Sequence, residues 1–189
     1  MIEEYNKIKT VEELYNFLDS NIKYGYLGKS GRVYHYGDED FDNAWKEEYI
    51  LENKDDLLRT GYGNCWDQVE LERTWFKEHN YELKTIFEMV SLDYENDYPT
   101  HTFLVYKDGD YWYWFEHADY DNRGIHKYDS LDELLDDQYS KYLKLLKTYD
   151  ITDEEINNII FTEYDEPNKN ITSEEYLDYV SNCKRILRK

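Results

Sequence analysis

A lone cysteine in the stretch Gly61-Tyr62-Gly63-Asn64-Cys65-Trp66-Asp67 has the setting of a catalytic nucleophile. Residues 65–79 carry apolar side chains at helical spacing, which places Cys65 on the first turn of a helix. The preceding glycines allow a sharp turn, and the unpaired N–H groups and positive dipole at a helix start favour thiolate over thiol. A buried structural cysteine is the commoner alternative, so a catalytic role needs partners elsewhere in the chain.

A β-hairpin downstream supplies a histidine and a carboxylate. Two alternating runs, 101–107 and 110–116, are separated by Asp108-Gly109, a strong signal for a two-residue turn. With these two residues as the turn, His101 lies directly opposite Glu116, on the face that also carries aromatic side chains. Opposed Cβ atoms are about 5 Å apart, so the carboxylate can accept a hydrogen bond from the imidazole. The hairpin therefore predicts the base and the orienting acid of a Cys-His-Glu triad.

Two other arrangements of these residues stay open. A one-residue bulge would place His117 opposite His101, turn Glu116 to the other face and make Asp119 the substitute orienting acid. A metal site would draw on six side chains: Cys65, His101, Glu116, His117, Asp119 and His126. Their spacing matches no usual ligand pattern, and the sequence predicts neither a metal nor a cofactor.

The motif Gly63-Asn64-Cys65-Trp66 at a helix start resembles the nucleophile motif of the transglutaminase-like superfamily, and of papain-type cysteine proteases more widely. The order Cys, His, acid is similar to that superfamily's, as are the Trp112-Tyr113 pair and an acid fifteen residues after the histidine. The likeness spans residues 57–117. It implies an α+β, papain-like core in which a central helix bearing Cys65 packs on an antiparallel β-sheet.

The resemblance also implies roles for individual residues. Cys65 would be the nucleophile, His101 the general base and acid, and Glu116 the orienting acid, where the superfamily usually has Asp. An oxyanion hole would combine the N–H of the cysteine with an upstream aromatic or polar side chain. The candidates for that side chain are Tyr24, Tyr26, Tyr34 and Trp45, and the further supporting candidates are Trp66 and Asp119.

These roles describe a thiol-dependent acyl-transfer enzyme that works through a thioester. A cysteine protease or amidase is favoured over amine transfer, because water is the default acyl acceptor. The expected substrate is a protein or peptide, and an acidic cleft would favour a basic one. The alternative is a non-enzymatic acidic interaction protein on the same fold, in its most specific form a DNA mimic.

The composition argues against several other classes. The chain has 189 residues and a formal charge of −21, which opposes binding to nucleic acid backbone or anionic membrane. No apolar run approaches the ~18 residues of a membrane span, and residues 1–7 lack signal-peptide features. Cys65 and Cys183 form no CxxC pair, so a reducing, cytoplasmic setting is expected. The 22 tyrosines are predicted to fill the core, where their hydroxyl groups need partners.

Capping boxes mark the predicted helices. Each has Ser or Thr followed three residues later by Glu, and they begin at Thr10, Ser130, Thr152 and Thr172. Residues 22–37 are predicted to be loop with at most one short strand, and residues 41–58 to be helical turns. Further strands are expected at 84–90 and 125–128.

The C-terminal third is predicted to be helical. Residues 130–189 would form an extension packed on a catalytic core of residues 1–129. Its apolar stripes continue through Ile156, Ile159 and Ile160, and then through Tyr176, Leu177, Val180, Cys183 and Leu187. Cys183 is accordingly expected in the core.

Overall fold

The structure is a computed structural model and describes residues 1–91 and 98–186. Within these ranges the helices are α1 (Ile2–Tyr5), α2 (Val11–Asn21), α3 (Phe41–Glu48), α4 (Lys54–Thr60), α5 (Cys65–Glu78), α6 (Leu131–Leu146), α7 (Asp153–Ile156) and α8 (Ser173–Ser181). The strands are β1 (Gly25–Leu27), β2 (Val33–His35), β3 (Glu82–Val90), β4 (His101–Asp108), β5 (Tyr111–Glu116), β6 (Gly124–Tyr128), β7 (Ile159–Tyr164) and β8 (Lys184–Arg185). A 3-10 turn, Lys147–Tyr149, follows α6.

An antiparallel sheet of six strands organises this mixed α+β fold, with the strand order β6-β5-β4-β3-β7-β8. Along β4 the side chains alternate between two buried layers. Leu104 and Tyr106 pack in the cluster that contains Trp75 of α5, whereas Phe103 packs in the cluster that contains Leu134 of α6. The sheet therefore lies between the cysteine helix α5 and the C-terminal helix α6, and the predicted packing of a central helix on an antiparallel sheet is confirmed.

The predicted helix starts are confirmed by their capping hydrogen bonds. The Thr10 hydroxyl accepts from the Glu13 N–H at 3.2 Å, and reciprocal boxes also form at Thr152 and Thr172. At Ser130 the hydroxyl accepts from the Glu133 N–H at 3.1 Å. Each cap satisfies backbone donors that a helix start leaves without a partner.

The prediction of an entirely helical C-terminal third is wrong. After the single turn of α7, the chain turns into β7, and Ile159 and Ile160 lie in a strand that pairs with β3 inside the sheet. The run Ile159–Tyr164 is rich in β-branched and aromatic residues, which favour a strand. Residues beyond 130 therefore supply two strands of the central sheet, β7 and β8, as well as three helices.

Helix α8 is also shorter than its apolar stripe predicts. It ends at Ser181, and the chain continues into the edge strand β8. Cys183 consequently lies beyond the helix, half-buried, with its thiol donating to the Tyr179 carbonyl at 3.3 Å. The expected core position of Cys183 is thus only partly observed, and Leu187 lies outside the described residues.

The hairpin register differs from the prediction by two residues. The pairs are Leu104 with Phe115 and Asp108 with Tyr111, so the turn consists of Gly109 and Asp110. Gly109 has φ +59° whereas Asp110 keeps a negative φ, which is typical of a type II′ turn with glycine first. A slip of two residues keeps every side chain on its predicted face, because the side-chain period of a strand is two.

Tyrosine fills much of the core, as predicted, and several of its buried hydroxyl groups have partners, whereas that of Tyr5 has none among the described residues. Tyr26 donates to the Phe41 carbonyl at 2.7 Å, and Tyr142 donates to the Pro99 carbonyl at 2.7 Å. The Tyr176 hydroxyl donates to that of Tyr164 at 2.9 Å. The Tyr164 hydroxyl in turn lies 2.6 Å from the Thr102 hydroxyl, beside His101 in sequence. A hydroxyl chain thus connects α8 and β7 to the strand that carries the histidine.

Candidate active site

The chain reaches Cys65 through a sharp turn in which each glycine has a structural reason. Gly61 ends α4 with φ +71°, a left-handed conformation that glycine adopts without strain. Gly63 sits where a Cβ atom would lie 2.6 Å from Leu57 Cδ1 and 2.9 Å from Asp67 Cβ. Helix α5 can therefore start at Cys65 only because residue 63 lacks a side chain.

Asn64 caps helix α5 and orders the turn that carries the thiol. Its Oδ1 accepts from the N–H groups of Trp66 (2.8 Å) and Asp67 (3.2 Å). In return, Asp67 Oδ2 accepts from the Asn64 N–H at 3.0 Å. The Tyr49 hydroxyl donates to Asp67 Oδ1 at 2.8 Å. The Cys65 N–H takes no part in these cap bonds, so it points out of the helix start as a donor beside its own thiol.

Tyr24 is brought to the cysteine by backbone pairing. The Lys23 N–H donates to the Gly61 carbonyl at 2.9 Å, and the Gly63 N–H donates to the Lys23 carbonyl at 3.0 Å. The Tyr24 side chain lines the same cavity as Cys65, and burial followed by the charge of Cys65 raises the Tyr24 pKa well above its usual value. Tyr24 therefore stays a neutral phenol and a donor beside the thiol.

His101 and Glu116 form a hydrogen-bonded pair at the end of the sheet. His101 Nε2 lies 2.8 Å from Glu116 Oε2, and the two side chains are 16% and 2% exposed. The other carboxylate oxygen, Oε1, accepts from the Asp119 N–H at 2.7 Å. In the observed register His101 is diagonal to Glu116 rather than opposite to it, and the long glutamate side chain spans the diagonal.

His101 also lies beside Cys65, and both side chains line the same cavity. Because Nε2 faces Glu116, Nδ1 is the ring nitrogen that remains for the sulfur. Burial opposes a positive charge on this ring, but the Glu116 carboxylate, its hydrogen bond to the ring and the nearby Cys65 outweigh it and raise the His101 pKa well above its usual value. The geometry therefore favours an imidazolium between a sulfur and a carboxylate.

The bulged alternative is wrong, because Glu116 faces His101 and His117 is used elsewhere. His117 lies beyond the end of β5, and its Nδ1 is 2.7 Å from Gln68 Oε1. The Gln68 amide donates to the Gly63 carbonyl at 2.8 Å. Burial is the largest cause that lowers the His117 pKa to about 4, so this ring is neutral and helps to fix the glycine turn.

The other upstream aromatic candidates lie in the packing around the site. Tyr26 stacks on Tyr34 with ring centroids 4.8 Å apart, and Trp45 contacts the ring of Trp66 at 5.1 Å. Trp66 is 4% exposed and stacks on Tyr176 of α8 at 4.1 Å. Among the four upstream candidates, Tyr24 is the one that lines the cavity together with Cys65. Trp66 and Tyr26 support the site by packing.

A cavity of about 940 Å³ opens onto these groups. Tyr24, Cys65 and His101 lie on its wall, and α6 forms another part of the wall. Tyr36 and Tyr120, which also line it, are 75% and 59% exposed. The cavity gives a substrate access to the sulfur and the imidazole together, and it assigns α6 a place in the site.

Glu88 is a cavity residue that the sequence analysis missed. It lies on β3 directly opposite His101, is 5% exposed, and lines the cavity. The sequence does contain a signal for it. Glu88 lies between Ile86 and Val90 on one buried face of strand β3, at a position where the alternation of side chains predicts an apolar residue. An interruption of this kind marks a buried polar group that needs an explanation.

Metal ligation and membrane spanning find no structural basis in residues 1–91 and 98–186. No group of three or more His, Cys, Asp or Glu side chains in these ranges could hold a metal ion. His126, from the six-residue metal hypothesis, instead places Nε2 2.8 Å from the Asn122 carbonyl. None of the helices described in those ranges combines the length and hydropathy needed to cross a bilayer.

Comparison with protein-family models, curated proteins and solved structures finds no match to this chain.

Proposed function

We propose that this protein is a thiol-dependent acyl-transfer enzyme with a papain-like, transglutaminase-like core, and that it hydrolyses amide or peptide bonds through a Cys65-His101-Glu116 triad. The observation that carries the proposal is the position of His101. One ring nitrogen lies 2.8 Å from a buried carboxylate, and the ring shares the wall of a large cavity with the cysteine at the head of a helix. This is the arrangement of nucleophile, base and orienting group that covalent catalysis requires.

The first half of the reaction forms a thioester. The Cys65 sulfur attacks the carbonyl carbon, and a C–S bond forms. The negative charge that develops on the carbonyl oxygen is stabilised by the Cys65 N–H and the Tyr24 hydroxyl. His101 then gives its proton to the leaving nitrogen as the C–N bond breaks, and the amine departs.

The second half returns the enzyme to its starting state. His101 removes a proton from water, whose oxygen attacks the thioester carbon. The C–S bond breaks with its electron pair remaining on the sulfur, the carboxylic acid leaves, and His101 keeps the proton that it took from water. Glu116 keeps the imidazole oriented throughout and stabilises its positive charge.

Acylation by p-nitrophenyl acetate tests the assignment of the nucleophile. We expect a burst of p-nitrophenolate and an acetyl group that peptide mapping places on Cys65. The Cys65→Ser variant should lose the burst, and the Cys183→Ser variant should keep it, because Cys183 has neither an imidazole nor a helix start beside it.

The His101→Ala variant tests whether acylation of Cys65 needs the histidine or only an accessible thiol. The triad predicts a loss of roughly 10²-fold or more in the acylation rate, the usual contribution of a general base. Equal acetylation of the two cysteines, or an unchanged rate without His101, would contradict the proposed function.

A further inference from the structure

Glu88 is a buried carboxyl group on the cavity wall that the triad does not use. Its Oε2 is inaccessible to solvent and has no hydrogen-bond partner among the described residues. Buried polar atoms are normally hydrogen-bonded, and the oxygens of an ionised carboxyl group can only accept. The Glu88 side chain is 5% exposed and lines the cavity, so rotation of the carboxyl group would bring this oxygen to a donor that the substrate carries.

The surrounding charges favour a positively charged donor. Burial is the largest cause that raises the Glu88 pKa to about 8, and Glu116 and Asp119 raise it further, whereas His101 lowers it. His101 is already bonded to Glu116. An additional cation in the cavity would supply the counter-charge that this carboxylate lacks.

The positive groups of the cavity wall lie on another element. Lys141 and Lys144 belong to α6, and the Lys141 ammonium is bonded to the Asp137 carboxylate. The wall formed by β3 and the start of β4 presents Glu88 beside His101. The cavity is therefore acidic on the side from which His101 would protonate the leaving group.

We propose that Glu88 binds a cationic group, of the guanidinium or ammonium type, on the leaving half of the substrate. This inference rests on the proposed acyl-transfer function, because it assigns specificity to the same cavity. The preferred substrate is then an amide whose departing amine carries a basic side chain, such as a peptide bond followed by a basic residue. Glu88 acts as a specificity-determining residue, and the triad performs the chemistry.

Alkylation of Cys65 by two matched chloroacetamides tests the inference. One reagent carries a guanidinium group and the other its neutral urea isostere, and both are used at pH 9, where Glu88 is ionised and guanidinium keeps its charge. Both expel chloride as the C–S bond forms. We expect the guanidinium reagent to alkylate Cys65 roughly tenfold faster in the native protein, and the ratio to fall to within about twofold in Glu88→Gln.

Controls separate the local site from the charge of the whole molecule. Cys183 in the same chain reports the general attraction of an acidic protein for cations, so its ratio should be unaffected by Glu88→Gln. Glu174→Gln removes one exposed acid from α8 and should leave the Cys65 ratio unchanged. Agmatine should protect Cys65 of the native protein from the neutral reagent without protecting Cys183, a readout that needs no variant.

An equal rate ratio at Cys65 in the native protein and Glu88→Gln would overturn the inference, as would a lack of protection by agmatine. Chloroacetamides alkylate accessible thiols without enzyme catalysis, so the ratio can be measured even if His101 proves unnecessary for acylation. Failure of the specificity proposal is thus distinct from failure of the proposed function.

Discussion

Glu116 contacts His101 from a diagonal position, and its length decides whether the contact can form. The observed register places Leu104 opposite Phe115, so Glu116 lies two residues out of line with His101. Diagonal neighbours on a sheet are about 7–8 Å apart, compared with about 5 Å for directly opposed residues. The extra methylene of glutamate relative to aspartate extends the carboxylate across this distance.

Two substitutions at Glu116 distinguish the effect of side-chain length from the effect of the negative charge. Glu116→Asp keeps the charge but shortens the side chain by about 1.5 Å, one C–C bond, so we expect the acylation rate to fall at least tenfold. Glu116→Gln keeps the length but removes the charge that raises the His101 pKa. A native-like rate in Glu116→Asp would show that reach is unimportant.

The pH profile of acylation reports the charge on His101. The imidazolium persists above the ordinary histidine pKa near 6.5, so the alkaline limb of the native profile should lie above pH 6.5. In Glu116→Gln the limb should move to lower pH, because a stabilising negative charge is gone. A limb that stays in place would argue against the ion pair.

The pairing of His101 with Glu116 could be predicted from sequence, but the register of the hairpin could not. The run Asp108-Gly109-Asp110 allows a turn with either Asp-Gly or Gly-Asp at its centre, and both are accepted hairpin sequences. The two choices differ by two residues in register. The alternation of apolar and polar side chains therefore predicted the correct face of the strand for Glu116. The distance between His101 and Glu116 depends on the register, which is set by packing along the whole sheet.

At the scale of elements, two short helices have similar caps and different consequences. Asn53 at the start of α4 accepts from the N–H groups two and three residues further on, those of Asp55 and Asp56. Asn64 at the start of α5 accepts from the N–H groups at the same spacing, those of Trp66 and Asp67. Only α5 carries the thiol on its first turn. The chain thus contains a matched pair of caps, one at the site and one outside it.

Replacing each cap by alanine should separate stability from reactivity. Asn64→Ala and Asn53→Ala should each lower the free energy of unfolding by about 1 kcal/mol, measured by urea denaturation. Only Asn64→Ala should also slow acylation of Cys65, because it loosens the turn that holds the sulfur. Equal acylation rates in the two variants would show that the α5 cap has no role in positioning the thiol.

The C-terminal elements show where sequence patterns were insufficient. Capping boxes predicted the starts of α6, α7 and α8, because a cap is a local interaction. They could not predict where a helix ends. Ile159 and Ile160 continue an apolar pattern, and their strand state depends on pairing with β3, which is distant in sequence.

The hydroxyl chain behind the histidine strand gives a prediction for this C-terminal strand. Tyr164→Phe removes the partner of both the Thr102 and the Tyr176 hydroxyl groups, which are buried. We expect a loss of about 1–3 kcal/mol in the free energy of unfolding. Tyr149→Phe, at a position that is 49% exposed, is the matched control and should change stability little. Equal effects would mean that the hydroxyl chain does not stabilise the sheet.

At the scale of the whole molecule, the formal charge of −21 overstates the negative charge available at the surface. Five buried carboxyl groups have pKa values raised by burial as the largest cause: Glu52, Asp67, Glu70, Glu72 and Glu88. These groups lie inside the fold rather than along a surface stripe. The formal charge therefore overstates the negative charge that a DNA mimic could present to a partner.

The same buried acids predict an unusual dependence of stability on pH. Burial and the neighbouring Asp67 raise the Glu52 pKa to about 9, and the Glu88 pKa is raised to about 8, both from 4.5. Between 4.5 and these values the unfolded chain loses protons that the folded protein keeps, so rising pH favours unfolding. The penalty is absent below pH 4.5 and complete above about pH 9.

Urea denaturation between pH 7 and pH 9 measures this effect. We expect the free energy of unfolding to fall by at least about 1 kcal/mol across this window, since each unit of pKa difference corresponds to about 1.4 kcal/mol. Glu88→Gln should flatten the profile, because a neutral amide has no proton to lose. A free energy that rises with pH would contradict the burial of these carboxyl groups.

The position of β7 ties completion of the sheet around the histidine strand to residues that are synthesised late. Strand β3 lies between the histidine strand β4 and β7, but the ribosome adds Ile159–Tyr164 long after Val90. Until those residues emerge, one side of β3 presents unpaired backbone groups to other chains. A chain released before Tyr164 therefore has an open sheet edge beside the histidine strand, so early termination yields an aggregation-prone fragment.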